Sequence, residues 1–297
     1  MSPSRTRTFF RSLSRLSPAL AGSLALRAFS QTHPRLPLQR EDAATDAAAE
    51  RATVRVRGRE LVTYRWGRGD DTVLLVHGWR GRASQFGPLV RELVASGFHV
   101  VSFDAPAHGA SAFARTDIRD WIAAIEAIQL RHGRFALVVG HSFGALAALT
   151  AVRSGTTAAR VATIAGVGTP QVFVDRFAAM LDLSPRAKAD FERAFSARLG
   201  EDAASMRLRF DAVADPLPPA VELLALHDAG DRQVPATASA DLVDAHGRRA
   251  RLLLTRGLGH NRILAADESL DAVTAFAVGG LARVADLAAH AKAETPD

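Results

Sequence analysis

From residue 52 onward the chain alternates between short apolar runs and amphipathic stretches of helical length. Residues 53–57 and 61–66 switch between polar and apolar with period two around a turn at Gly58, the pattern of an antiparallel hairpin. Six further runs, at 73–76, 100–103, 135–139, 161–164, 221–226 and 251–254, are too short for helices and too apolar for half-exposed strands. Helical periodicity fills most of the intervals, at 84–95, 117–132, 143–153 and 236–245, and a last helix is expected from 267 to about 289. Buried strands alternating with helices predict a mainly parallel sheet covered on both faces.

The rhythm breaks once, between Gly166 and Pro219. There, 172–181 and 185–199 read as helices with no strand between them. An insertion at about 168–218 is therefore expected to form a small helical cap over the carboxyl edge of the sheet. The first 50 residues form a separate unit, a helical arm and linker, ahead of a main domain at 51–290 and a short tail at 291–297. In the arm, Phe9, Leu13, Leu16 and Leu20 recur at spacings of three and four, while Arg7, Arg11 and Arg15 recur at four. Ser17-Pro18 suits the start of a second helix running to about Phe29. Residues 31–50 carry two prolines and then an Ala/Asp/Glu run, and read as a connector.

Composition changes this picture in three places. The net charge of +6 sits at one end: residues 1–40 hold seven arginines and no acid. Removing those seven from 37 leaves 30 basic against 31 acidic residues, so the body is near neutral and no nucleic-acid partner is expected. An arginine-rich, acid-free arm has three readings: an accessory element docked on the domain, a membrane-surface helix over residues 5–29, or a targeting peptide. On the first, deleting residues 1–40 would affect mainly solubility, membrane association or stability. The absence of cysteine removes disulfides, thiolate zinc sites and a thiol nucleophile, and suits a cytoplasmic protein. No stretch reaches about 18 uninterrupted apolar residues, so a membrane span is not expected.

The chemistry concentrates around Gly140-His141-Ser142-Phe143-Gly144. A G-x-S-x-G motif is weak alone, but here a buried strand runs into it and a small-residue helix runs out. A serine on a tight strand-to-helix turn needs flanking residues without colliding side chains, which the glycines supply. Such a serine needs a base to remove its proton. Chain order selects His260, in the flexible Gly257-Leu258-Gly259-His260-Asn261 loop after the last strand. His246 and His290 read as surface residues and His227 as a supporting group. The orienting acid is expected in the loop after the penultimate strand, where Asp231 and Asp228 both stand. Asp231 is preferred, since Asp228 ends the strand and could cap the loop backbone instead.

His77-Gly78-Trp79 follows the first central strand, and the backbone N–H groups of Trp79 and Phe143 are the expected oxyanion donors. His77 reads as a structural histidine, and the turn from Asp104 to Ser111 as a support beneath the site. Arg80 and Arg82 would either meet an anionic part of the substrate or point into solvent. Phe173, Phe177 and Met180 would line an acyl pocket or pack the cap. Neither a cofactor nor a metal is called for.

Together these residues resemble the α/β-hydrolase superfamily, over about residues 53–280. That resemblance implies an eight-stranded, mostly parallel sheet, a Ser142–His260–Asp231 triad and cap helices at about 170–215. The family often has glycine where this chain has Asp228. It also implies a serine hydrolase cleaving a carboxylic ester or thioester, a small-molecule substrate, through an acyl-enzyme. An acyltransferase with the same triad, or a non-catalytic ligand-binding protein of this fold, are the alternatives.

Overall fold

The computed structural model describes residues 3–113 and 115–293; the expected tail lies outside them from residue 294, as does the side chain of His290. The chain opens with α1 (Pro3–Leu16), α2 (Pro18–Phe29) and the short α3 (Ala43–Ala47). The hairpin follows as β1 (Glu50–Val56) and β2 (Arg59–Trp66). Strand and helix then alternate through β3 (Thr72–Val76), α4 (Gly87–Ala95), β4 (His99–Phe103) and α5 (Ile118–His132). The alternation continues through β5 (Phe135–His141), α6 (Phe143–Arg153) and β6 (Ala158–Ile164). The helices α7 (Gln171–Leu181), α8 (Pro185–Leu199) and α9 (Ala203–Phe210) come next, without an intervening strand. The chain finishes with β7 (Glu222–Asp228), α10 (Thr237–His246), β8 (Ala250–Thr255), α11 (Gly259–Arg262) and α12 (Asp267–Ala293). Every apolar run identified in the sequence is a strand.

Among the described residues these strands form one sheet in the order β1-β2-β4-β3-β5-β6-β7-β8. β2 runs antiparallel to β1 and β4, and every other neighbouring pair is parallel. Side chains alternate across the sheet, so successive residues of β3 feed different cores. Leu74 and Val76 join Trp121, Leu146 and Val138 on one face; Val73 and Leu75 join Phe86, Leu93 and Phe276 on the other. The chain leaves β3 for β4 on one side and returns to β5 on the other. That reversal opens a crevice at the carboxyl ends of β3 and β5, the place where open α/β sheets bind ligands.

A third, smaller core joins the N-terminal helices to α7 and α8 through Phe10, Ala25, Val174, Leu181 and Phe191. α2 lies against α8 so closely that a Cβ at Gly22 would stand 2.8 Å from the Phe191 backbone nitrogen. The buried face of α1 is not the stripe expected from sequence. Phe10 and Ser14 are buried, whereas Phe9, Leu16 and Leu20 are exposed. Phe10 clusters with Val174 and Leu181 of α7 and Phe191 of α8, and Asp182, just past α7, faces Arg7 and Arg11 at 3.8 and 3.7 Å. Leu20 belongs to the next helix and cannot continue the stripe. Within residues 31–50, expected as a connector, Asp42, Thr45 and Asp46 are buried, and Trp66 Nε1 donates to the Thr45 carbonyl.

Candidate active site

Ser142 sits between the last residue of β5 and the first of α6, with φ 52° and ψ −118°. A non-glycine residue rarely adopts that backbone, and it persists here because the surroundings leave no alternative. A Cβ at Gly140 would approach the Ala145 backbone to 2.5 Å, and one at Gly144 the Val76 carbonyl oxygen to 2.2 Å. Both glycines are therefore demanded by contact. The turn presents Ser142 Oγ to His260, and Ser142 donates to His260 Nε2 at 3.0 Å. The other ring nitrogen, Nδ1, donates to Asp231 Oδ2 at 2.7 Å, which fixes the tautomer because a carboxylate can only accept.

The Asp231 carboxylate is fully enclosed. Burial opposes its charge, but hydrogen bonds from His227, His260 and the Val234 backbone outweigh burial and hold its carboxyl far below the usual range. Its Oδ1 accepts the backbone N–H groups of Gln233 and Val234, at 2.7 and 3.0 Å. His227 Nε2 lies 3.4 Å from Oδ2 while its Nδ1 accepts from Ser239. Asp228 faces a different set of groups. It accepts from the Gly230 and Leu258 backbone and from Thr255 Oγ1, each at 2.9 Å, and so binds the acid-bearing loop to the histidine-bearing loop. Although burial raises its pKa, these donors, the Leu258 N–H foremost, bring it below the ordinary value.

The remaining histidines near the site are committed elsewhere. His77 Nδ1 donates to the Gly78 carbonyl and Nε2 accepts from Ala105 N–H. His108 donates to Pro106 and accepts the Arg80 N–H. His141, unremarked in the sequence beyond its place in the motif, donates from Nε2 to the His260 carbonyl and accepts from Gln85 Nε2. It thus props the backbone that carries His260. His246 is buried rather than at the surface, accepting the Leu217 N–H and donating to Leu242. Beneath the site, the Asp104 carboxylate gathers Tyr64 Oη and the Ala83 and Ala110 N–H groups, which stiffens the Asp104–Ser111 turn. Among the described residues, no group of three or more His, Asp or Glu side chains is arranged to hold a metal.

The model of the alpha/beta hydrolase family matches residues 73–296, three quarters of the chain. The chain belongs to the alpha/beta hydrolase family. No curated protein matches it. Solved structures share the hydrolase fold at low identity. An esterase of Pyrococcus furiosus is 17% identical over 83% of this chain and 97% of its own, with a TM-score of 0.62. A bacterial membrane phospholipase A is 20% identical over 81% and 91%, with a TM-score of 0.58. The thioesterase domain of the curacin biosynthetic pathway is 14% identical over 78% and 99%, also at 0.58.

In this hydrolase, a cavity of about 1050 Å³ opens above Ser142 and His260. Phe173, Phe177 and Met180 of α7 line it, with Phe195, Met206 and Phe210 from α8 and α9. Gly78 borders it so tightly against the serine that a Cβ there would meet Ser142 Cβ at 3.0 Å. Arg80 and Arg82 turn toward the N-terminal segment: Arg80 donates to the His33 carbonyl at 2.6 Å, and Arg82 faces Asp46 at 3.9 Å. No helix among the described residues is long and apolar enough to cross a membrane.

The buried histidines make stability depend on pH in a specific window. Burial foremost, and then a neighbouring imidazole, lowers the pKa of both His108 and His141 from 6.5 to about 3. An unfolded chain protonates these rings below pH 6.5 and the folded chain does not, so acidification favours unfolding until the folded pKa is reached. Between pH 7 and pH 5 the loss is expected to be roughly 2 kcal/mol per imidazole. Denaturant unfolding at the two pH values measures it. Equal stability at both would contradict neutral burial of these rings.

Proposed function

We propose that this hydrolase cleaves a carboxylic ester or thioester through an acyl-enzyme on Ser142. The observation that carries the reading is the unbroken hydrogen-bond chain from Asp231 through His260 to Ser142, ending at the floor of a large apolar cavity. His260 Nε2 takes the serine proton as Oγ attacks the carbonyl carbon, and the C=O pair moves onto oxygen. The backbone N–H groups of Trp79 and Phe143 receive that oxyanion, and the amino end of α6 adds its positive potential. Collapse of the tetrahedral species expels the alcohol or thiol, which leaves with the proton held on His260. Water then repeats the sequence against the acyl-serine and releases the acid. Asp231 stays ionised throughout and stabilises the transient imidazolium. The Asp231 donors other than His260 support this role, since they favour its charge before catalysis begins.

A fluorophosphonate probe tests the reading. Folded wild type is expected to label on Ser142, located by peptide mass, and to hydrolyse p-nitrophenyl acetate; Ser142→Ala is expected to do neither. Folded wild type that fails both would overturn it.

A further inference from the structure

The N-terminal segment lies outside the stretch matched by the hydrolase family, yet it reaches the site. Thr6, Ala28, Phe29, Ser30, Gln31 and Leu36 line the same cavity as Ser142 and His260. Phe29, the last residue of α2, meets Phe177, Phe191 and Phe195 edge-on at centroid distances of 5.1, 5.5 and 5.7 Å. Immediately after it, the chain is fastened to the loop that carries Trp79. Trp79 Nε1 donates to the Gln31 carbonyl at 2.8 Å, and the Leu36 N–H donates to the Arg80 carbonyl at 3.3 Å. Arg35 then reaches the carbonyls of Gly109, Ser111 and Phe113 on the neighbouring loop. The segment is fastened by hydrogen bonds at Gln31, Arg35 and Leu36, and its apolar end at Phe29 packs among the phenylalanines of α7 and α8.

We propose that residues 28–36 are a wall of the substrate cavity and set the acyl length this enzyme accepts, the substrate being an ester of an extended apolar acid. The claim rests on the esterase reading and deepens it. Ligand cavities run from roughly 300 to 1,000 Å³, and about 1050 Å³ stands at the top of that range, far beyond the needs of an acetyl group. Its phenylalanines and methionines on α7, α8 and α9 provide dispersion contacts along a hydrocarbon chain. Ala28 and Phe29 are opposite levers on that space. A larger residue at 28 shortens the cavity, and a smaller one at 29 widens it.

The test compares wild type, Ala28→Trp and Phe29→Ala on p-nitrophenyl esters from acetate to palmitate, each protein first shown to be folded by its thermal melt. Wild type is expected to prefer decanoate or longer over acetate. Ala28→Trp is expected to lose about tenfold or more in kcat/KM on the long esters relative to acetate, within the range that a crowded apolar pocket imposes. Phe29→Ala is expected to shift the preference toward longer or branched acids. Ala28→Leu, a milder filling, gives an intermediate profile should the tryptophan variant not fold. Unchanged length profiles in folded variants would refute the wall while leaving the esterase reading intact. Should wild type hydrolyse no ester, binding of an anthroyloxy-labelled fatty acid still decides the point. Its affinity is expected to fall about tenfold in Ala28→Trp, and equal affinity would refute the wall.

Discussion

Replacing His260 by alanine is expected to lower turnover by on the order of 10³-fold or more, with KM little changed, as losing the base of a triad does elsewhere. The size of the effect follows from what surrounds the ring. His260 Nε2 lies 3.0 Å from Ser142 Oγ, and its Nδ1 is bound to Asp231. No described histidine nearby is free to replace it. His77 and His108 use both ring nitrogens on the main chain. His141 directs its Nε2–H at the His260 backbone, which the alanine variant retains, and burial keeps that ring neutral. The folded structure should therefore survive while the serine loses its proton acceptor. Steady-state kinetics on a p-nitrophenyl ester, beside a thermal melt, separate the two. Near-normal turnover in the variant would assign the base elsewhere.

The sheet and the site differ in how far they can be read from the chain. Strand β5 announces itself because Leu137, Val138 and Val139 are consecutive, apolar and β-favouring, and the glycines at 140 and 144 mark where backbone must pass close to backbone. Those are local signals. The face on which α1 docks is not local, since Val174, Leu181 and Phe191 of distant helices form the cluster that takes in Phe10. A helical wheel sees Phe9, Leu16 and Leu20 as the sticky side, and they are left exposed. The same limit applies to Gln85 and His141, 56 residues apart and joined only by the fold. Arg80 was legible as a cation but not as a clamp. Its partners are carbonyls of Gln31 and His33, which carry no side-chain signature. His246 misled for a related reason, as it ends a helix in sequence but is covered by the chain near Leu217.

The two aspartates that sequence left in competition are expected to separate under amidation. Asp231→Asn keeps the shape of the side chain and removes the charge beside His260 Nδ1. The amide can present N–H to that nitrogen and favour the wrong tautomer, so turnover is expected to fall by about 10⁴-fold, with the proton-abstracting Nε2 blocked. Asp228→Asn acts by another route. Asp228 is buried, and its Oδ2 accepts from both Thr255 Oγ1 and the Leu258 N–H. An amide nitrogen placed there leaves a buried donor facing the Leu258 donor, a conflict worth roughly 1–3 kcal/mol of stability. The loop bearing His260 would shift with it, and turnover is expected to fall by only about 10- to 100-fold, the scale of a slightly misplaced catalytic group. Kinetics alone could confuse a displaced histidine with a lost acid; kinetics beside denaturant unfolding cannot. A loss of turnover near 10⁴-fold in a variant that still folds marks the orienting acid, and a loss of only about 10- to 100-fold with reduced stability marks the clamp between loops. If the two variants exchange these signatures, Asp228 is the acid and Asp231 the clamp.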